Sequence, residues 1–179
     1  MYDNDRQSPS LDRAHGRVFL GMNITEAHEL TATEGLKAME NGDLTAEGWL
    51  KSCFERIDAR ENAVLAWEYL DRDGALKHAQ AIDKSGNGGI VAGMPFGVKD
   101  IIDTADMPTS YASPIHKDHL PRRDAGYVAT TRGAGGVLLG KTVSTEFGHR
   151  SPGKTRNPLI QGIRQGVPPR AQRRRLAIK

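Results

Sequence analysis

"GMPFGVKDIIDT", Gly93 to Thr104, sets a lysine and an aspartate inside a run whose other residues read as a buried strand. Met94-Pro95 opens the run, because a proline has no N–H for a ladder and belongs at the first residue of a strand. Lys99 is then crowded by Met94, Phe96, Val98, Ile101 and Ile102. Two readings are open. Most lysines are solvated, and Lys99 can stand at a strand edge with its ammonium in water or paired with Asp100 or Asp103. Alternatively, apolar neighbours bury it, disfavour the charged form and leave a neutral amine usable as a general base near neutral pH. Gly93 and Gly97 permit a close backbone approach in the same stretch.

Outward from this run, the pattern alternates helices with strands. "TATEGLKAMENG" carries a capping box, Thr31 with Glu34, then Leu36 and Met39 on one helical face and a stop at Asn41-Gly42. In "LTAEGWLKSCFERIDARENA" Thr45 is placed to cap a helix whose stripe is Leu50, Cys53, Phe54 and Ile57. "AVLAWEYLD" predicts a strand with Leu65, Trp67 and Tyr69 on one face, and "DGALKHAQAIDKSGNGG" a helix ended by glycines. Downstream of Lys99, a long loop runs through "MPTSYASPIHKDHLPRR". Asp124 is expected to cap a helix over "AGYVATTR", which "GAGG" ends before the apolar strand "VLLGKT". The fold class is therefore α/β, a parallel or mixed sheet with helices on both faces and a helical N-terminus.

Charge and composition exclude more than they assign. The 179 residues suit one domain, and 37% hydrophobic with 26% charged residues is polar for a compact globule without being that of a disordered chain. The formal charge of +3 is misleading. From Leu159 onward stand six bases (Arg164, Arg170, Arg173, Arg174, Arg175, Lys179) and no acid, leaving 19 bases against 22 acids up to Pro158. That tail has no aromatic residue for stacking and no helical charge stripe, so nucleic-acid binding is disfavoured. No apolar run approaches a membrane span, and the single Cys53 forms no internal disulfide, which together point to the cytoplasm. Residues 1–21 are polar and patternless and read as an unstructured extension, with Met22 a candidate start. The histidines are scattered; only His116 and His119 have a spacing usable by a metal. "GAGGVLLGKT" holds the letters of a phosphate loop without its spacing.

"GMPFGVKDIIDTADMPT", the following "SP", the helix ending in "GAGGVLLGKTVSTEFG" and then "SPGKTRNP" together resemble the amidase signature family, hydrolases of carboxylic amides, from about Ile24 to Pro158. The resemblance implies the N-terminal part of an α/β/α fold with a mixed sheet and a Ser-Ser-Lys triad. In such a triad the lysine, Lys99 here, takes a proton from a bridging serine, and that serine deprotonates the nucleophile. It further implies a small-molecule amide as substrate and no cofactor or metal, with amidotransferase subunits and self-association both open. Both serines belong to a Gly/Ser-rich segment after "TRNP", whereas residues 159–179, "LIQGIRQGVPPRAQRRRLAIK", contain no serine. With legal codons chosen for Leu159 to Ala177, skipping two bases turns this tail into His-Pro-Gly-His-Thr-Pro-Gly-Gly-Ser-Ser-Ser-Gly-Ser-Ala-Ala-Ala-Val-Gly. The wobble bases are free but the other two bases of each shifted codon are nearly fixed. The tail is therefore expected to be the signature segment read out of frame, residues 22–158 the amidase part, and the chain as it stands inactive. The alternative is a non-catalytic chain, either a pseudogene product or a small binding module.

Overall fold

A computed structural model describes residues 24–86, 89–148 and 151–158. The extension over 1–21, Met22 as a start, His15, His149 and the tail from 159 lie outside the described residues. After a 3-10 helix, Ile24–Glu29, the elements are α1 (Ala32–Asn41), α2 (Ala46–Val64), β1 (Trp67–Leu70), α3 (Arg72–Ser85), β2 (Pro95–Lys99), α4 (Gly126–Gly133) and β3 (Val137–Thr142).

Local chemistry accounts for most boundaries. Thr31 and Glu34 form the expected reciprocal capping box, and Gly42 ends α1 in the left-handed region. The Thr45 side chain caps α2, and the Asp83 carboxylate of α3 accepts from the Ala46 and Glu47 amides at 2.8 and 3.0 Å, placing negative charge at the positive end of the helix. At the other end of α2, Glu61 accepts from the Ala66 and Trp67 amides and turns the chain into β1.

The sheet is mixed, in the order β1-β3-β2, with β3 antiparallel to β1 and parallel to β2. β3 is central, and its first five residues are buried. Its alternation divides the core. Val137 and Leu139 pack with Leu50 and Phe54 of α2 and Ala75 and Ala79 of α3. Leu138 packs with Val98, Met107 and Val128 of α4 on the opposite face. Helices thus cover both faces, as the pattern predicts, and a strand covered on both faces is apolar on both sides.

Three local expectations are corrected. Leu65 does not share a face with Trp67 and Tyr69: it is the left-handed C-cap of α2, φ 55°, and a register shift in β1 turns Trp67 and Leu70 inward while Tyr69 is exposed. Asp124 does not cap α4, whose N-cap is Ala125; its carboxylate instead accepts from the Ala105 amide and from Arg132. The run that opens at Gly93 is strand only through Lys99, and Asp100 to Ile102 form a turn, closed by the Ile102 amide donating to the Lys99 carbonyl at 2.9 Å.

Candidate active site

β2 delivers Lys99 to the carboxyl end of a strand parallel to β3, opposite Thr142. In parallel α/β sheets this is the end at which ligands bind. Beside it, Gly97 leaves room for the Trp67 indole, since a Cβ there would lie 2.8 Å from the ring. The Lys99 side chain is exposed. Of the two readings, the solvated strand-end lysine agrees with this placement and the buried one does not: Val98 points into the α4 layer, and period two turns Lys99 to the other face.

The turn after Lys99 is held by two aspartates. Asp100 is buried and accepts from the Ser110 amide at 3.1 Å, from the Ala112 amide at 3.4 Å and, in a shorter contact, from the Ser110 hydroxyl. Asp103 accepts from the Tyr111 hydroxyl at 2.6 Å. That bond, with burial and the negative charges of Asp103 and Asp100, pushes the Tyr111 phenol up to about 12. Tyr111 and Ala112 both lie in the left-handed region, φ 54° and 53°, which costs about 1–2 kcal/mol for each non-glycine residue. The two carboxylates supply the bonds that hold them there.

Next to this loop is a cavity of about 510 Å³ whose walls include Asp100, Ser110, Ser113, Ser144 and Lys117. Ser113 is 3% exposed and its hydroxyl has no hydrogen-bond partner among the described residues. His116 meets Tyr111 edge-on and His119 stacks on it, with centroids 5.2 and 6.0 Å from its ring, and His116 also meets Phe147 edge-on. These histidines belong to an aromatic cluster, and among the described residues no three His, Cys, Asp or Glu side chains are grouped to hold a metal. Cys53 is half-buried, and burial pushes its thiol up to about 11, away from nucleophilic chemistry.

The buried lysine among the described residues is Lys141, which in the sequence lies in the apolar strand "VLLGKT", in the amidase-like run and in the phosphate-loop look-alike, and is given no task in any of them. It is fully buried in β3, where it donates to the Ile102 carbonyl and to the Thr109 hydroxyl, both at 2.5 Å. Burial lowers its pKa, opposed by the carboxylates of Asp100, Asp103, Asp106 and Asp124. A lysine bonded to a threonine hydroxyl has the makings of a base and nucleophile pair. Both residues are closed to solvent, however, so no substrate reaches them. The signal in the sequence is a charge at the end of "VLLGK" together with the five aspartates from Asp100 to Asp124, four of which, Asp100, Asp103, Asp106 and Asp124, act on it.

With this geometry in place, comparison with known proteins decides the family: the family model described as Amidase matches residues 49–165. The chain belongs to the amidase family. It is 36% identical over 128 residues to a glutamyl-tRNA(Gln) amidotransferase subunit from Salinibacter ruber, covering 70% of this chain and 25% of that one. The corresponding protein of Acidothermus cellulolyticus is 38% identical over 138 residues, covering 72% and 27%. Among solved structures, the peptide amidase of Stenotrophomonas maltophilia superposes with a TM-score of 0.69 at 30% identity, over 76% of this chain and 31% of the amidase. A bacterial aryl acylamidase of the amidase signature family gives 0.65 at 25%, over 75% and 30%. This amidase-family chain thus spans about a quarter of the length of the curated relatives it matches. Its α/β fold with a small mixed sheet agrees with those structures. Among the described residues no helix is long and apolar enough to cross a membrane.

Proposed function

We propose that this chain carries the lysine part of an amide-hydrolase active site, with Lys99 as general base. The observation that carries the reading is the placement of Lys99: it is exposed at the carboxyl end of β2, within the family match and beside an ordered loop. In the parent reaction the Lys99 amine accepts a proton from a bridging serine, which deprotonates a second serine. The second serine attacks the amide carbonyl, the amine leaves with a proton, and water hydrolyses the acyl-enzyme to the acid. Neither serine is assigned to a described residue. Ser110 is committed to Asp100, Ser113 and Ser144 are buried, and Ser151 stands in a loop.

The serines belong to the segment after Pro158, whose coding sequence we infer to be shifted by one base. Residues 22–158 then form the amidase part and residues 159–179 the out-of-frame part. The substrate class is a small carboxylic amide. Assembly with the other subunits of an amidotransferase is a second arrangement, favoured by the similarity to one component of those enzymes. The lone thiol, protonated by its burial, suits a reducing compartment, and we place the chain in the cytoplasm.

The test is to insert one base after the Pro158 codon, continue into the downstream sequence, and assay the product on aliphatic and aryl amides. Turnover is expected, and both Lys99→Ala and Lys99→Arg are expected to abolish it, because a guanidinium stays protonated at any working pH. Substantial activity in the arginine variant would overturn the general-base assignment.

A further inference from the structure

Two segments must be held for Lys99 to keep its place: the turn it leads into, and the loop that folds back over that turn. Lys141 touches both. It stands next to Val98 in the parallel register, one strand over from Lys99, but on the face turned toward the loop. Its ammonium bonds the Ile102 carbonyl, in the turn closed on the Lys99 carbonyl, and the Thr109 hydroxyl, at the start of the stretch that Asp100 grips at Ser110 and Ala112. The Thr109 hydroxyl in turn reaches the Ile102 carbonyl at 3.4 Å, so one cation gathers both segments at a single point.

Burial makes this arrangement one that tolerates little change. Asp100 is 1% exposed and Lys141 fully buried. A buried charge is acceptable only where hydrogen bonds and opposite charge compensate it, and Lys141 has its two acceptors and the negative charges of Asp100, Asp103, Asp106 and Asp124 to do so. A neutral apolar residue at position 141 would supply neither the charge nor the two donors, while the apolar packing of Val98, Leu138, Met107 and Val128 would be left as it is.

We propose that Lys141 is a positioning residue for Lys99, acting through the Ile102 carbonyl and the Thr109 hydroxyl to fix the turn in which β2 ends. This rests on the reading of Lys99 as the family's lysine, and it adds a second lysine with a separate task. Lys141 itself meets no substrate.

The experiment uses the 179-residue chain in dilute solution, comparing Lys141→Met and Thr109→Val with the parent. Amide hydrogen exchange is read on peptides covering residues 99–112 and, as reference, α2. Trace acetylation is read at Lys99, with the exposed Lys51 and Lys77 as internal standards. Lys141→Met is expected to speed exchange over 99–112 while α2 keeps its protection. It is also expected to change the labelling of Lys99 relative to Lys51 by about threefold or more, the size of an ordinary coupling within one hydrogen-bond network. Thr109→Val, which removes the hydroxyl that accepts from Lys141 and donates to the Ile102 carbonyl but no charge, is expected to move both readouts less and in the same direction, and it carries the test if the methionine variant fails to fold. The proposal is overturned if the 99–112 peptides and α2 lose protection together, or if the relative labelling of Lys99 is unchanged in a folded variant. Neither readout requires Lys99 to accept a proton. An active Lys99→Arg enzyme would therefore remove the general-base reading without touching this one.

Discussion

The Lys141 ammonium lies 2.5 Å from the Ile102 carbonyl oxygen, in the turn that begins at Lys99. Two lysines on neighbouring strands thus have opposite fates: Lys99 is exposed at the strand end, and Lys141 is sealed beneath the turn. The first stands open to solvent, and the second is held by its two hydrogen bonds.

The purified 179-residue chain is expected to show no hydrolysis of simple aliphatic or aryl amides above background. A base without an activated hydroxyl has nothing to deprotonate. Turnover that disappears in Lys99→Ala would show that one of the serines present has taken the nucleophile's role.

Tyr111 gives a pH dependence of stability with a definite sign. Its folded-state pKa, about 12, exceeds the ordinary phenol value of 10.0, so the native state holds this proton more tightly than the unfolded state. The contribution is complete below the unfolded value and is lost as pH rises through that interval. Denaturation midpoints measured across this range are expected to fall less steeply in Tyr111→Phe than in the parent. Equal slopes would mean that the phenol does not keep its bond to Asp103 in solution.

Gly35 of α1 lies under Trp49 of α2, where an added Cβ would come within 2.1 Å of the indole. Alanine ordinarily favours a helix over glycine, so propensity alone predicts that Gly35→Ala stabilises. Overpacking is expected to win and cost about 1–3 kcal/mol. Urea denaturation followed by tryptophan fluorescence reads the sign directly.

Among the described residues β2 pairs only with β3, and large apolar side chains stand in water, including Ile90, Ile115, Leu120 and Phe147. An unpaired strand edge with exposed apolar surface promotes association. The chain is expected to bind hydrophobic dyes and to sediment as concentration-dependent aggregates. A monomer with a sharp melting transition and no dye binding would contradict this.

What the sequence by itself determined was local. The capping box at Thr31, the cap at Thr45, the α2 stripe and the apolar β3 are each set by interactions within a few residues, and the structure repeats them. The motif run from Gly93 to Pro158 also carried the family, because residue types at fixed spacing survive without knowledge of packing. Tertiary structure decided which lysine is buried. Both lysines stand among apolar residues in the sequence, Lys99 with Phe96, Val98 and Ile101 and Lys141 with Val137, Leu138, Leu139 and Val143, yet a strand sends alternate residues to opposite faces, and what packs on each face decides which side chain is buried. Lys141 is buried because β3 lies between β1 and β2 and because Ile102 and Thr109 fold over its end from 39 and 32 residues away. No window along the chain spans that separation, and the burial of a charge is fixed by what closes over it.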